Sequence, residues 1–292
     1  MIALFRRVFA PLALLFALLA GPAAASEARP ALWKVADEDT TIWLFGTVHA
    51  LPADLSWYRG EVAIAFEGSD ELVTEIDAVE PARMQAVVLE KAVLPRGQSL
   101  RDQLASDQRA RLEDALRSLG LPLATMDRFE PWYAAIALAT LPIQRSGYVA
   151  DHGVENVLAT RARALGKPRG ALGTPEYQLG LFDELPDEVQ KRYLMEIVRA
   201  LPELSGLLGR IVEAWTSGDA DKLAVLMHEQ EDDPAIMEAL MFRRNRAWAD
   251  WIAARLEQPG EVFLAVGAGH LAGPGSVQDE LAARGVAVRR VQ

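Results

Sequence analysis

Two kinds of apolar pattern run along the chain, and they separate a sheet from the helices that cover it. Short unbroken runs come first. Residues 41–45 (Thr-Ile-Trp-Leu-Phe) are β-branched and aromatic and stop at Gly46, residues 71–76 form a second run, and residues 261–266 (Glu-Val-Phe-Leu-Ala-Val) a third. Runs of this length and composition predict strands buried in a sheet. Between the first two, residues 55–68 place Val62, Ile64, Ala65 and Phe66 at helical spacing, so strand, helix and strand predict a parallel βαβ unit.

The middle of the chain changes period. Ser106 opens a predicted helix that ends at Gly120 with Pro122 beyond it, and Pro131 opens another that buries Trp132, Ile136 and Leu138. A helix over 153–165 stops at Gly166, and Lys167-Pro168 leads into a brief strand at 170–172. Helices follow over 175–182, 187–201, 207–215 and 220–227. Asp233 then caps a long helix with Pro234 in its first turn. Its apolar stripe (Ile236, Leu240, Ala247, Trp251, Ala254) has one gap, near Arg244. A helix over 276–284 and a strand over 286–291 finish the chain. The expected fold is α/β: a mixed, mostly parallel sheet flanked by helices, one domain over 26–292 with a large helical insertion at roughly 80–255.

The first 25 residues stand outside that fold. Arg6 and Arg7 precede an apolar run at 11–20, and Ala23-Ala24-Ala25 provides the small residues after which a signal peptidase cuts. A cleaved leader predicts a periplasmic or secreted protein with no stable membrane insertion. A membrane anchor is the rival reading, but the run is short for a span and Gly21-Pro22 interrupts it.

Composition narrows the chemistry. The chain has no cysteine, which removes disulfides, thiol catalysis, lipid attachment through cysteine and Cys-based zinc sites. An exported domain of about 265 residues must then be held by its core alone. The formal charge of −11 becomes −13 without the two leader arginines. So acidic a surface argues against nucleic acid or an anionic membrane as the main partner and leaves sugar, peptide or small-molecule substrates open.

Two segments resemble each other. Gly46-Thr47-Val48-His49 and Gly267-Ala268-Gly269-His270 each place Gly-x-x-His directly after a buried strand, in a chain with four histidines. A glycine there predicts a sharp turn off the strand's carboxyl end. The histidine three residues on then projects over the sheet edge where open α/β sheets bind ligands. Glu75 ends an otherwise buried strand, where a carboxylate is costly unless paired, protonated or metal-bound. His49, Glu75 and His270 together make a two-His, one-carboxylate set suited to a divalent ion. Glu75 is either a ligand or the base for a metal-bound water. Arg244 and Asn245, in the gap of the stripe, are candidates to orient substrate or steady a developing oxyanion, and the arginine to hold Glu75 or a substrate carboxylate. His152 reads as a capping-region residue, the run at 229–233 as a solvated loop and helix start, and Trp43, Trp132, Trp248 and Trp251 as core.

These motifs as a set resemble the TraB/GumN family, in its GumN-like branch: Gly-Thr-Val-His-Ala-Leu-Pro at 46–52, Val-Thr-Glu-Ile-Asp at 73–77, and Val-Gly-Ala-Gly-His-Leu-Ala-Gly at 266–273. Gly153-Val154-Glu155 with Ala164-Leu165-Gly166-Lys167-Pro168, and the Arg244-Asn245 pair, resemble further blocks. The resemblance spans about residues 33–292. It implies a fold shared with the TIKI metalloproteases and erythromycin-esterase-like proteins, and metal-dependent peptide cleavage with Mn, Co or Zn at His49, His270 and Glu75. The rival expectation is a non-catalytic ligand-binding or accessory protein of exopolysaccharide biosynthesis that kept the fold. The chain departs from the family pattern at Gly173, where Leu-Glu-Thr is usual, and at Arg243, where an acidic residue is usual. Glu176 is the candidate to replace the missing carboxylate.

Overall fold

A computed structural model describes residues 28–76, 81–228 and 233–292. The leader and most of the acidic run at 229–233 lie outside the described residues, and so does Asp77. Six strands form one sheet: β1 (Leu32–Ala36), β2 (Thr40–Thr47), β4 (Glu71–Ile76), β6 (Arg169–Gly173), β7 (Gly260–Gly267) and β8 (Val288–Arg290), in the order β6-β4-β7-β2-β1-β8. Two short strands, β3 (Leu51–Pro52) and β5 (Tyr148–Val149), pair separately. The β6-β4, β4-β7 and β7-β2 pairings are parallel, whereas β1 runs antiparallel to both β2 and β8. The mostly parallel α/β sheet expected from the pattern is present.

The apolar runs are continuous because alternate residues enter different cores. In β7, Phe263 and Ala265 join one cluster while Val262, Leu264 and Val266 join the other. In β2, Phe45 faces the first cluster and Ile42 and Leu44 the second. A strand covered on both faces has no polar side to alternate with. The first face is covered by α1 (Gly60–Gly68), α6 (Val154–Ala164), α9 (Leu204–Ser217) and α10 (Ala220–His228), and the second by α12 (Arg243–Arg255) and α13 (Val277–Ala283). On the first face Phe45, Trp57, Phe66, Trp215 and Phe263 form a chain of ring contacts.

The insertion has its own core. Leu100, Leu112, Leu116, Leu138 and Leu194 meet among α3 (Leu100–Gln103), α4 (Ser106–Ser118), α5 (Pro131–Arg145) and α8 (Asp187–Ala200). The remaining helices are α2 (Pro81–Lys91), α7 (Pro175–Asp183) and the single turn α11 (Pro234–Met237).

Several expectations need correction. β2 and β4 are parallel but not adjacent, because β7 inserts between them. α1 starts at Gly60 rather than near 55, since Gly60 takes φ 55° and Arg59 before it is extended. Ser106 is already helical, with Ala105 at the cap. The final strand covers only 288–290. Asp233 does cap its helix, accepting from the Ala235 amide, but that helix is not uniform. Glu238–Phe242 is a π-helical segment between α11 and α12, at the gap in the apolar stripe. One extra residue per turn rotates everything after it, and so Arg244 and Asn245 turn inward, 6% and 1% exposed.

Candidate functional site

The two Gly-x-x-His segments leave the carboxyl ends of adjacent strands, with Gly46 opposite Val266 and Thr47 opposite Gly267. Their glycines serve space rather than a turn. Neither has positive φ. A Cβ on Gly46 would stand 3.0 Å from Ala268 of the other motif, and one on Gly267 would stand 3.0 Å from the Glu75 carboxylate. The first glycine lets the two strand ends close together, and the second makes room for the acid.

His270 lies in a 3-10 turn, Ala268–Leu271, and is 6% exposed. Its Nδ1 is 2.6 Å from Asn245 Oδ1, while Asn245 Nδ2 donates to the Gly275 carbonyl at 2.7 Å. A carbonyl only accepts, so the amide must face it with nitrogen and present oxygen to the ring. Nδ1 therefore carries the proton and Nε2 the lone pair. Arg244 Nη1 is 3.1 Å from that Nε2. Burial pushes the His270 imidazole down to about 3, with the Arg244 charge acting the same way against Glu75. The ring is neutral at neutral pH. Its face packs on Trp248, centroids 4.5 Å apart.

Glu75 sits one residue before the end of β4. Its Oε1 accepts from the Gly267 amide at 2.6 Å, and its Oε2 pairs with Arg244 Nη2. Burial alone would raise this carboxyl, but Arg244, His270, the Gly267 amide and His49 outweigh it and hold it at about 2. With His270 neutral at neutral pH, Arg244 is the main cause there. Gln178 on α7 closes the network, accepting from Arg244 Nη2 at 3.2 Å and donating to Glu75 at 3.4 Å. The Arg244 guanidinium also stacks over Trp248, 4.6 Å from the ring centroid.

His49 occupies a bend just past β2. Its side chain is 78% open to solvent, although the protein around it is dense enough to disfavour its charge. Nδ1 is 2.6 Å from Glu155 Oε1, which also accepts from Thr47 Oγ1 at 2.5 Å. The Glu155 carboxylate raises the His49 imidazole to about 9, against the effect of burial. No described residue hydrogen-bonds its Nε2.

The structure thus joins Glu75, Arg244, Asn245 and His270 in one hydrogen-bonded cluster. His49 stands close enough to share its electrostatics with Glu75, Arg244 and His270. Glu176 does not join them; it pairs with Arg83 at 2.9 Å. Gln178, two residues on, is the α7 side chain that reaches Glu75. Sequence reasoning missed Gln178 and Thr47 and assigned Glu155 no role. His152 ends an exposed 3-10 turn. A hollow of about 600 Å³ lies between α4 and α8, lined by Arg111, Glu196 and Arg199 among others, and contains none of these residues.

A divalent ion was expected here. The donor chemistry fits: an ionised carboxylate, a neutral imidazole with its tautomer fixed, and a second imidazole with an open edge. Their contacts do not form a ready cage. Among the described residues no three His, Asp or Glu side chains are grouped as a metal site, and Arg244 stands between Glu75 and His270.

A family model described as the TraB/PrgY/gumN family matches residues 31–290. The chain belongs to this family. Its relatives include an uncharacterized protein of Treponema pallidum (strain Nichols), 24% identical over 276 residues that cover 88% of this chain and 82% of that protein. Another is the uncharacterized protein YbaP of Escherichia coli (strain K12), 23% identical over 238 residues that cover 82% of this chain and 86% of that one. No solved structure matches. Among the described residues, no helix is long and apolar enough to cross a membrane.

Proposed function

We propose that this TraB/PrgY/gumN member is an exported, metal-dependent hydrolase acting on peptide bonds, with His49, His270 and Glu75 as the groups that hold a divalent ion (Mn, Co or Zn). The observation that carries this reading is the pairing of the two Gly-x-x-His segments on adjacent parallel strands. Each histidine has Nδ1 tied to a side-chain oxygen and Nε2 directed elsewhere. Such an ion would supply an activated water and polarise the scissile carbonyl. The protein's own groups divide the remaining work. Asn245 fixes the His270 tautomer and, with both ends of its amide engaged, acts behind the site rather than on substrate. Glu75 is kept ionised, as a ligand or base must be. Arg244, beside both Glu75 and His270, would offer its guanidinium to a substrate carboxylate or a developing oxyanion. His49, raised above its ordinary value, would have to be neutral to serve as a ligand, so metal uptake would strengthen as pH rises.

The test is elemental analysis of protein taken from the periplasm, together with hydrolysis of a peptide library with and without Mn, Co or Zn. Turnover that chelation and His49→Ala leave untouched would refute the metal reading.

A second reading, a ligand-binding protein without turnover, draws on one observation: Arg244 already satisfies both Glu75 and His270, and no carboxylate stands at Gly173. It predicts a ligand-dependent rise in Tm with no product. Deletion that leaves exopolysaccharide output normal would count against an accessory role there.

A further inference from the structure

The Gly153-Val154-Glu155 block has no part in the mechanism above, yet it is built against His49. The Val154 amide donates to the Val48 carbonyl at 3.0 Å. A Cβ on Gly153 would fall 2.1 Å from the His49 carbonyl oxygen and 2.6 Å from its carbon, so only glycine allows α6 to begin this close to the motif. From the first turn of that helix, Glu155 reaches back and takes two hydrogen bonds on one oxygen, from His49 Nδ1 and from Thr47 Oγ1. Both partners belong to the first Gly-x-x-His segment. The second segment is backed differently, by the neutral amide of Asn245.

We infer that Glu155 is the positioning residue of His49: clamped by Thr47 and by the Gly153 contact, it holds the Nδ1 proton and leaves the Nε2 edge open. An ionised carboxylate can only accept, so the hydrogen between it and Nδ1 belongs to the ring. Whenever the ring is neutral, its lone pair is then on Nε2. Free imidazole has no such preference imposed on it, and its rotation about χ2 is broad. The inference rests on the reading of His49 as a ligand, since that is where a fixed Nε2 lone pair matters.

Two measurements separate it from that reading. The first needs no metal. Nitrogen spectra of the imidazole rings, recorded above the pH at which His49 becomes neutral, should show one tautomer for His49 in the wild type, with Nε2 unprotonated. Glu155→Ala should give a mixture. Glu155→Gln, whose amide oxygen still accepts from Nδ1, should retain the wild-type tautomer. The second is Mn titration followed by electron paramagnetic resonance: Glu155→Ala should weaken binding about 10- to 100-fold, and Glu155→Gln less. Should Glu155→Ala fail to fold, Thr47→Val removes the hydroxyl that steadies Glu155 and should broaden the tautomer distribution in the same direction. If wild type takes up none of Mn, Co and Zn, the hydrolase reading falls while the ring spectra still decide this one. An unchanged His49 tautomer in both Glu155→Ala and Thr47→Val overturns the inference, as does unchanged Mn affinity in a Glu155→Ala protein that binds metal.

Discussion

Removing Arg244 is the most informative single perturbation of the cluster. Arg244→Ala deletes the partner of a carboxylate that is itself 10% exposed, the hydrogen bond to His270 Nε2, and the stack on Trp248. Breaking a buried pair from one side costs about 3–5 kcal/mol, because the remaining charge is left without compensation. The lost cation–π contact adds about 0.5–2 kcal/mol. An independent route gives a similar figure. Holding Glu75 at about 2 instead of its ordinary 4.5 corresponds to roughly 3 kcal/mol at neutral pH. The assay is urea unfolding at two pH values for Arg244→Ala, Glu75→Gln and the double variant. In Arg244→Ala the carboxyl loses its main cation and keeps only the smaller effect of His49, so it takes up a proton well above its wild-type value. The deficit is then largest near pH 7.5 and shrinks toward pH 4.5. The double variant removes the stranded charge, and the two changes should fall short of additivity by about 2 kcal/mol. Additive effects within about 0.5 kcal/mol, or a deficit that does not change with pH, would show that Arg244 and Glu75 do not depend on each other as the geometry requires.

Three further outcomes follow from the same contacts. Stability should peak near pH 6.5. His270, lowered to about 3, contributes fully above 6.5 and loses about 1.4 kcal/mol per pH unit as pH falls below it, with Glu75 adding to the loss between 4.5 and about 2; His49, raised to about 9, contributes fully below 6.5 and is lost as pH rises through 9. A stability curve flat from pH 4 to 9 would contradict this. Trp215→Phe removes the donor to the buried Gly46 carbonyl, bonded at 2.8 Å, and should cost about 1–3 kcal/mol in urea melts, whereas Trp215→Tyr cannot restore the bond from the same position. Gly267→Ala should be more damaging than Gly269→Ala. The first drives a methyl to 3.0 Å from a carboxylate held on both sides, the second meets the flexible end of Met227 at 2.7 Å, and paired thermal melts would rank them.

How much of this was legible in the sequence depends on the range over which each feature is encoded. β2, β4 and β7 could be read because a strand covered on both faces is apolar throughout, and the repeated Gly-x-x-His stood out because each copy follows such a strand. β1 was missed: Leu-Trp-Lys-Val-Ala buries only Leu32 and Val35, and Lys34 lies over Trp43 on a partly open face. The short pairing of β3 with β5 joins residues nearly a hundred positions apart and leaves no local pattern. The partners of the site residues were hidden for the same reason. Glu155 accepts from Thr47 across 108 positions, and Gln178 reaches Glu75 across 103. Neither spacing is periodic. The glycines were recognised, but for a reason the structure changes. They were expected to bend the chain, and instead they admit Ala268 and the Glu75 carboxylate.

Arg244 shows where pattern stops and geometry takes over. The apolar stripe of the late helix broke near this residue, and a break alone is compatible with a side chain facing water or facing the sheet. What decides between them is the π-helical segment at Glu238–Phe242. At 100° per residue an ordinary helix continued from Pro234 would set Arg244 about 80° and Asn245 about 180° from Ile236. The wider turns shift that phase, so that Arg244 and Asn245 share the inward side with Trp248 and Ile252, all four buried. Tertiary contacts favour the shift: Asn245 closes on His270 and Gly275, and Arg244 on Glu75, Gln178 and Trp248. All of these partners except Trp248, one turn on in the same helix, are brought in by another element. The irregular turn, the inward arginine and the paired carboxylate therefore support one another in the folded state.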